Sequence, residues 1–510
     1  MSDQEAASYL SRIRLPLTAL RHKRLTRGET TVAGILVTGV ALRAWILLVP
    51  RLGKLDADES VSGLMARHFA DGEFTAFFWG QSYGGTAEVA LTAVLFKLLG
   101  PSTLLPKVVT IGLHGLGAWL TWRVGLRLFE KKTAAIAGAL AWAWPTYAVW
   151  KSNRLMGFYA LGLVLVMAVA LLVIRIEERP RPSELLLLGF ITGLGWWTHP
   201  TVLFVAVPAA IWLIFRRPRL LIFLPVVVIG AILGSLPWLW SNLANDWHSL
   251  ENPLVATSLA QYWDALRGLF IQPLPAALGL RVPGSAKWVF GPVIGVTVYV
   301  TLLAGLCWLS WRHRYRKLGL LSVVMFGYLT ILAVSTHALY RDEPRYLYIV
   351  MPILGLLVAQ LGTEARMHLS LPALLVVFSV AGLFVMSQFP KDPWVPADFK
   401  PLIEVLENEG VDRAFAFHTI AYRLSFESEE SIIATPIDHP VRYQPYDQAV
   451  RNSSQAAYVF APMPAVANQF AEELDDRGLV YDWLRAGDFT VVIPQSAVSP
   501  DVFDSLRPSQ

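Results

Sequence analysis

Between residues 31 and 388 the chain alternates long apolar runs with short basic clusters. The runs fall at about 31–50, 103–127, 133–150, 155–175, 184–199, 200–215, 219–241, 289–310, 318–336, 346–363 and 370–388. A helix needs roughly 20 such residues to cross a bilayer, so each run predicts a transmembrane helix, with 184–199 and 200–215 short and meeting at Pro200. A further stretch, Ala87–Leu99, is too short to cross comfortably. From about 389 onward the apolar runs shrink to strand length, at Arg413–Phe417, Ser431–Ala434, Ala457–Phe460 and Thr490–Ile493. Amphipathic stretches such as Phe399–Glu409 and Ala465–Arg477 lie between them, which predicts a small α/β domain. Pro390, Pro393 and Pro396 suggest a stiff linker into it.

Charge decides how the short stretch is treated. Basic residues concentrate on the cytoplasmic side of membrane proteins. If Ala87–Leu99 does not span, the N-terminal arm, Lys131–Lys132, Arg179 and Arg181, Arg216–Arg219, Arg312–Lys317 and Arg366 all share that side. If it does span, every cluster after the first moves outside. The non-spanning reading gives eleven spans, with Ala87–Leu99 dipping into the outer leaflet. The expected organisation is a basic cytoplasmic arm (1–30), a transmembrane domain (31–388) with long external loops at 51–102 and 242–288, and an external α/β domain (389–510). Long ordered loops usually carry function.

Composition agrees with this picture: 55% of the 510 residues are hydrophobic and 16% charged, and the mean hydropathy is +0.47. Nineteen tryptophans and sixteen tyrosines suit a protein with two membrane–water interfaces. The net charge of +5 is spread over short clusters rather than a stripe, which argues against a nucleic-acid partner. Cys307 is the only cysteine, so no intrachain disulfide forms. The polar, basic start, with no small-residue cleavage site closely following the first run, does not read as a cleavable signal peptide.

The candidate chemistry gathers in the expected external segments. Asp56-Ala57-Asp58-Glu59 follows the first span within a few residues. Carboxylates crowded beside a membrane suit a base or a binding site, although Asp56 or Asp58 could equally cap a helix over Ser60–Ala70. Asp56-Ala57-Asp58 also spells the metal-binding DxD pattern of nucleotide-sugar enzymes, but nucleotide sugars are cytoplasmic. Gly80–Glu88, including Tyr83, Gly84 and Gly85, leads back to the membrane, where Glu88 needs a partner or an aqueous cavity. Lys151 and Arg154, and Arg341 and Arg345, place cations where a lipid phosphate could be gripped. Asp342 and Glu343 could instead close 341–345 as a local ion-paired turn. His199 and Tyr346 are further candidates, and Arg43, inside the first span, is expected to snorkel or pair.

Taken in order, these segments resemble the GT-C glycosyltransferases, and within them the protein O-mannosyltransferase and aminoarabinose-transferase group. Asp58-Glu59 is similar to that group's acidic doublet, Phe69–Phe74 to the stretch after it, and Lys151–Arg154 to its cation after the third span. Trp79–Glu88, Trp197–Pro200, Pro344–Tyr346 and Ile420–Arg423 resemble a mostly uncharacterised bacterial branch. Tyr83-Gly84-Gly85 stands where the mannosyltransferases carry His-Pro-Pro and the aminoarabinose enzymes Glu-Lys-Pro, so neither acceptor specificity transfers.

The resemblance implies a polytopic helical GT-C fold in the cytoplasmic membrane, with a polyprenyl-phosphate-sugar donor and a single inverting displacement. It implies Asp58 as base with Glu59 beside it, and Glu88 and Asp56 as supporting acids. Lys151, Arg154, Arg341 and Arg345 would serve the donor phosphate. No cofactor is called for, and a divalent metal stays open. Mannose is the sugar by family frequency, and the acceptor is a glycan, lipid or protein. Two other readings compete: a transporter or flippase for lipid-linked sugars, and a non-catalytic envelope assembly protein. A transporter would favour short loops, midplane charges and an internal repeat, none of which the sequence displays.

Overall fold

The structure is a computed structural model describing residues 26–251, 258–389, 396, 398–438, 441–461 and 464–506. Most of the expected N-terminal arm, and Pro390 and Pro393 of the expected linker, lie outside the described residues. The chain enters through α1 (Arg27–Leu48), whose start is fixed by a reciprocal cap: the Glu29 N–H donates to Thr26 Oγ1, and the Thr26 N–H to the Glu29 carboxylate. Next come α2 (Ala57–Ala70), α3 (Ala87–Leu99), α4 (Leu105–Leu128), α5 (Lys131–Ala143) and α6 (Tyr159–Glu178). They are followed by α7 (Pro182–Thr198), α8 (Leu203–Arg216), α9 (Leu224–Gly234), α10 (Leu236–Ala244) and α11 (Leu259–Ile271). Four more apolar helices, α12 (Pro292–Arg312), α13 (Leu318–Leu332), α14 (Met351–Glu364) and α15 (Ser370–Ser387), complete the bundle.

Every apolar stretch read from the sequence is helical. The run at 133–150 divides: α5 ends at Ala143, and a separate short helix, Thr146–Lys151, follows Pro145. Among the described residues, five helices are long and apolar enough to cross a membrane. The pair Pro218–Gly234 and Leu236–Ala244, bent by 64°, makes a sixth if it counts as one span. At 13 residues, α3 extends about 20 Å, short of a hydrocarbon layer about 30 Å thick.

Two glycine pairs draw α7 and α9 together. Gly189 and Gly193 on one helix face Gly230 and Gly234 on the other. A Cβ at Gly193 would lie 2.0 Å from the Ala231 carbonyl oxygen, and one at Gly234 2.0 Å from that of Phe190. Only glycine allows this backbone-to-backbone approach, which lets helices pack where burial from water gives no drive. Arg43, inside α1, lies 3.6 Å over the Trp142 ring and donates to the Gly39 carbonyl, so it is paired within the bundle.

The C-terminal segment forms α16 (Lys400–Asn408), β1 (Arg413–Ala416), α17 (His418–Glu427), β2 (Ile433–Pro436), α18 (Gln444–Arg451), β3 (Ala457–Phe460), α19 (Pro464–Asp476), β4 (Tyr481–Ala486) and β5 (Phe489–Pro494). Its five strands run in the order β2-β1-β3-β5-β4, with β1 parallel to β2 and β3, and β5 antiparallel to β3 and β4. The four expected strands are present. The fifth, β4, is an edge strand with most of its side chains at least partly exposed, so it carries no apolar run to read. Arg423 ties the domain to its approach by donating to the Pro396 carbonyl at 2.8 Å.

This domain packs on the first loop. Phe426 of α17 meets α2 at Gly63, where a Cβ would come within 2.5 Å of the phenyl ring. Tyr443 stacks on Trp79 at 3.9 Å between ring centroids. Glu430 receives Arg67 at 3.0 Å, His68 at 3.0 Å and the Tyr446 hydroxyl.

A candidate active site between the first loop, the 144–154 segment and the C-terminal domain

Asp56 is the N-cap of α2: its Oδ1 accepts the Glu59 N–H at 2.8 Å. Its Oδ2 receives Arg154 at 2.5 Å. Arg154 also donates to the Leu52 carbonyl at 3.2 Å and lies 4.7 Å over the Trp150 ring. Capping and charge pairing thus coexist on one carboxylate. Burial opposes ionisation of Asp56, but the charges of Arg154 and Lys151 and the Glu59 N–H outweigh it and hold its carboxyl at about 2.

Asp58, in the first turn of the same helix, is different. Its side chain is 38% exposed, and its nearest cation is Arg442 at 3.9 Å. That exceeds hydrogen-bond reach, so the carboxylate keeps its acceptor capacity. Its recessed position and the neighbouring Asp56 raise its pKa above the ordinary carboxylate range, against Arg442, Arg345 and Lys151. An accessible carboxylate with a raised pKa and free lone pairs is suited to take a proton.

The other acids have close partners. Glu59 is fully buried and paired with Lys107 of α4 at 2.6 Å, and Lys107 donates onward to the Asn153 carbonyl at 3.4 Å. Placed there, Glu59 does not share the open position of Asp58. Glu88 is buried at the start of α3, where its Oε1 accepts the Leu161 N–H at 2.6 Å. It therefore caps α6, satisfying a donor that the first turn of that helix leaves free.

The cations converge around Glu343. Lys151 Nζ lies 3.5 Å and an Arg345 amine 3.7 Å from its Oε2, and the Tyr147 hydroxyl donates to the same atom at 3.1 Å. Lys151, Arg154 and Arg345 line a small cavity with Tyr147, Tyr159 and Tyr348. Three cations and three phenols share this wall, with Lys151 and Arg345 paired to Glu343 and Arg154 to Asp56. Arg341 does not join them. It turns to Asp264 of α11 at 2.6 Å, because the bend at 341–345 sends its two arginines in different directions. The local ion-paired turn weighed from the sequence is present in part, as the Glu343–Arg345 pair, while Glu343 also reaches Lys151 and Arg341 pairs with Asp264 instead.

Tyr83, His199 and Tyr346 belong to an aromatic wall. Tyr83 lies 6.4 Å from both Phe158 and His199, His199 is stacked 4.8 Å from Phe158, and His337 is stacked 4.1 Å from Tyr346. His199 Nδ1 pairs with Thr201 Oγ1 at 2.6 Å, which fits a hydrogen-bonded histidine. Gly85 pins the Tyr83 loop by donating to the Thr198 carbonyl at 2.9 Å, and a Cβ there would strike the Trp197 carbonyl oxygen at 2.6 Å. Among the described residues, no three His, Cys, Asp or Glu side chains are grouped to hold a metal ion.

Lys107, Glu343 as a hub, and Arg442 escaped the sequence reading. Lys107 had a visible signal, a lone lysine at the head of an apolar run. Arg442 had none, because only the docking of the C-terminal domain brings it to Asp58.

The polytopic helical bundle with its long loops and the small sheet at its end has the fold of the GT-C membrane glycosyltransferases. A family model described as "Dolichyl-phosphate-mannose-protein mannosyltransferase" matches residues 89–240. Similar solved structures include ArnT from Cupriavidus metallidurans bound to undecaprenyl phosphate, with a TM-score of 0.59 and 13% identity, covering 94% of this chain and 100% of that one. The apo state of ArnT gives 0.59 and 14% identity, covering 94% and 99%. The oligosaccharyltransferase AglB from Archaeoglobus fulgidus aligns with a TM-score of 0.45 and 11% identity, covering 84% of this chain and 69% of its own. No curated protein matches the chain by sequence. The matched stretch 89–240 contains Lys151, Arg154 and His199 but not Asp58 or Arg345.

Proposed function

We propose that this protein is a glycosyltransferase that moves a sugar from a polyprenyl-phosphate donor to an acceptor hydroxyl at the external face of the cytoplasmic membrane. The observation that carries the reading is an open carboxylate, Asp58, within electrostatic reach of Lys151 and Arg345, which with Arg154 line the cavity proposed as a phosphate cradle. Undecaprenyl phosphate bound to ArnT, a protein of the same fold, supports a lipid phosphate as the ligand of that cradle.

Asp58 takes the proton of the acceptor hydroxyl as its oxygen bonds to the anomeric carbon. The bond from that carbon to the phosphate oxygen breaks, and its electron pair leaves with polyprenyl phosphate. Lys151, Arg154 and Arg345 stabilise the charge that develops there. Phosphate leaves without protonation, so one carboxylate suffices, and a single displacement inverts the anomeric centre. Mannose is the first sugar to test. The reading is tested with purified protein and polyprenyl-phosphate-mannose, then with other polyprenyl-phosphate sugars, following release of polyprenyl phosphate. Release that depends on Asp58 supports it, and no release from any of these donors contradicts it.

A further inference from the structure

The C-terminal domain does more than cover the first loop. Its segment 441–443 is seated residue against residue on 78–80. Gly80 meets Arg442, and a Cβ at Gly80 would lie 2.8 Å from the Arg442 Cα, while the backbone there is left-handed at φ +67°. Beside it, Tyr443 stacks on Trp79. The Arg442 N–H donates to the Tyr422 hydroxyl at 2.6 Å, which fixes the main chain from within the domain. The guanidinium is 5.9 Å over the Phe78 ring and 3.9 Å from Asp58, with 22% of the side chain exposed. Glycine, a stacked ring and a hydroxyl therefore converge to hold one cation beside the open carboxylate.

We propose that Arg442 is a positioning residue of the active site, delivered by the C-terminal domain to fix the Asp58 carboxylate as the base. The proposal rests on the glycosyl-transfer reading above. Facing Asp58 are Asp56 on its own helix, Arg442 from the C-terminal domain, Arg345 and Lys151 from the bundle, and Tyr83 from the first loop. Arg442 stands apart from the phosphate cradle, so its loss acts on the base and leaves the cations of the leaving-group side in place. The gap of 3.9 Å keeps the pair from closing into a direct hydrogen bond, and an acceptor hydroxyl can still reach Asp58.

The test uses the full-length protein in two arms. In the first, thermal midpoints are measured for wild type, Asp58→Asn, Arg442→Ala and the double variant at pH 7 and at pH 4. The contact predicts that the double variant loses less than the sum of the single losses at pH 7, and that this difference shrinks at pH 4 as Asp58 is protonated. In the second, donor-dependent release of polyprenyl phosphate is followed against pH. Arg442→Ala should move the acid limb upward by up to about one unit, which is about tenfold lower activity below the limb and recovery toward wild type above it. Arg442→Lys should restore most of the limb. Additive midpoints together with an equal loss of activity at every pH would overturn the proposal. Non-additive midpoints in a protein with no donor-dependent turnover would overturn the glycosyl-transfer reading while leaving the Asp58–Arg442 contact standing.

Discussion

Arg154 and Asp56 are 98 residues apart in the chain and 2.5 Å apart in the structure. Their pairing joins the segment after Pro145 to the N-cap of α2, the helix that carries Asp58. One carboxylate thereby orients both the proposed base and a proposed phosphate cation.

Removing either partner should therefore weaken donor binding, and loss of the Asp56 charge should also move the acid limb of turnover downward, because that charge raises the pKa of Asp58. A hydrogen bond to a charged group is worth about 1.5–3 kcal/mol. Asp56→Asn and Arg154→Ala should each raise the apparent donor KM by about 10- to 100-fold, measured with a polyprenyl-phosphate sugar. Asp56 also makes a pH prediction. Its carboxyl is held near 2, below the ordinary value of about 3.9. It adds stability that is present above the unfolded value and lost as pH falls through the folded one. The thermal midpoint of the wild type should fall more steeply between pH 4 and pH 2 than that of Asp56→Asn.

Glu59 and Lys107 are both buried, and breaking such a pair from one side costs about 3–5 kcal/mol. Glu59→Gln should lower the thermal midpoint strongly. The double variant Glu59→Gln with Lys107→Met should recover part of that loss, together with activity. A stable but inactive Glu59→Gln would show that Glu59 acts on the substrate instead.

Glu88 is expected to matter as an acceptor of the Leu161 N–H, not as an acid. Glu88→Gln keeps an oxygen for that bond and should retain most activity. Glu88→Ala should destabilise by about 1 kcal/mol, as loss of a helix cap does. Comparing the turnover and midpoints of the two variants checks this.

The latch between α2 and the C-terminal domain predicts a response at alkaline pH. Burial disfavours the charged form of His68, but its bonds to Glu430 at 3.0 Å and Glu73 at 2.7 Å outweigh burial and raise its pKa above the usual histidine value. A raised histidine pKa gives stability that is full below about 6.5 and lost as pH rises through the folded value. From pH 6 to pH 9 the wild-type midpoint should fall as this contribution is lost. His68→Gln should show little of that slope.

The helices were legible because a bilayer demands continuous apolar runs, and each run folded as helix. Asp58, Lys151, Arg154 and Arg345 were legible because charge beside a membrane is conspicuous. Partners were not. Glu59 finds Lys107 on another helix 48 residues away, Arg341 finds Asp264, and Glu88 finds the backbone of α6. Residue types near one another in sequence give no sign of these contacts, which depend on how helices cross. The α7–α9 crossing itself rests on Gly189, Gly193, Gly230 and Gly234, whose four-residue spacing is readable only once the two helices are known to be neighbours. Arg442 was the least legible, since its place at the site depends on how a separate domain docks.

The most direct test of the account is the turnover of Asp58→Asn with a polyprenyl-phosphate sugar, at protein levels and thermal midpoints matched to wild type. A general base contributes about 10²- to 10⁴-fold, so the account predicts a loss of at least about 100-fold with donor binding retained. Turnover within a few-fold of wild type would contradict it.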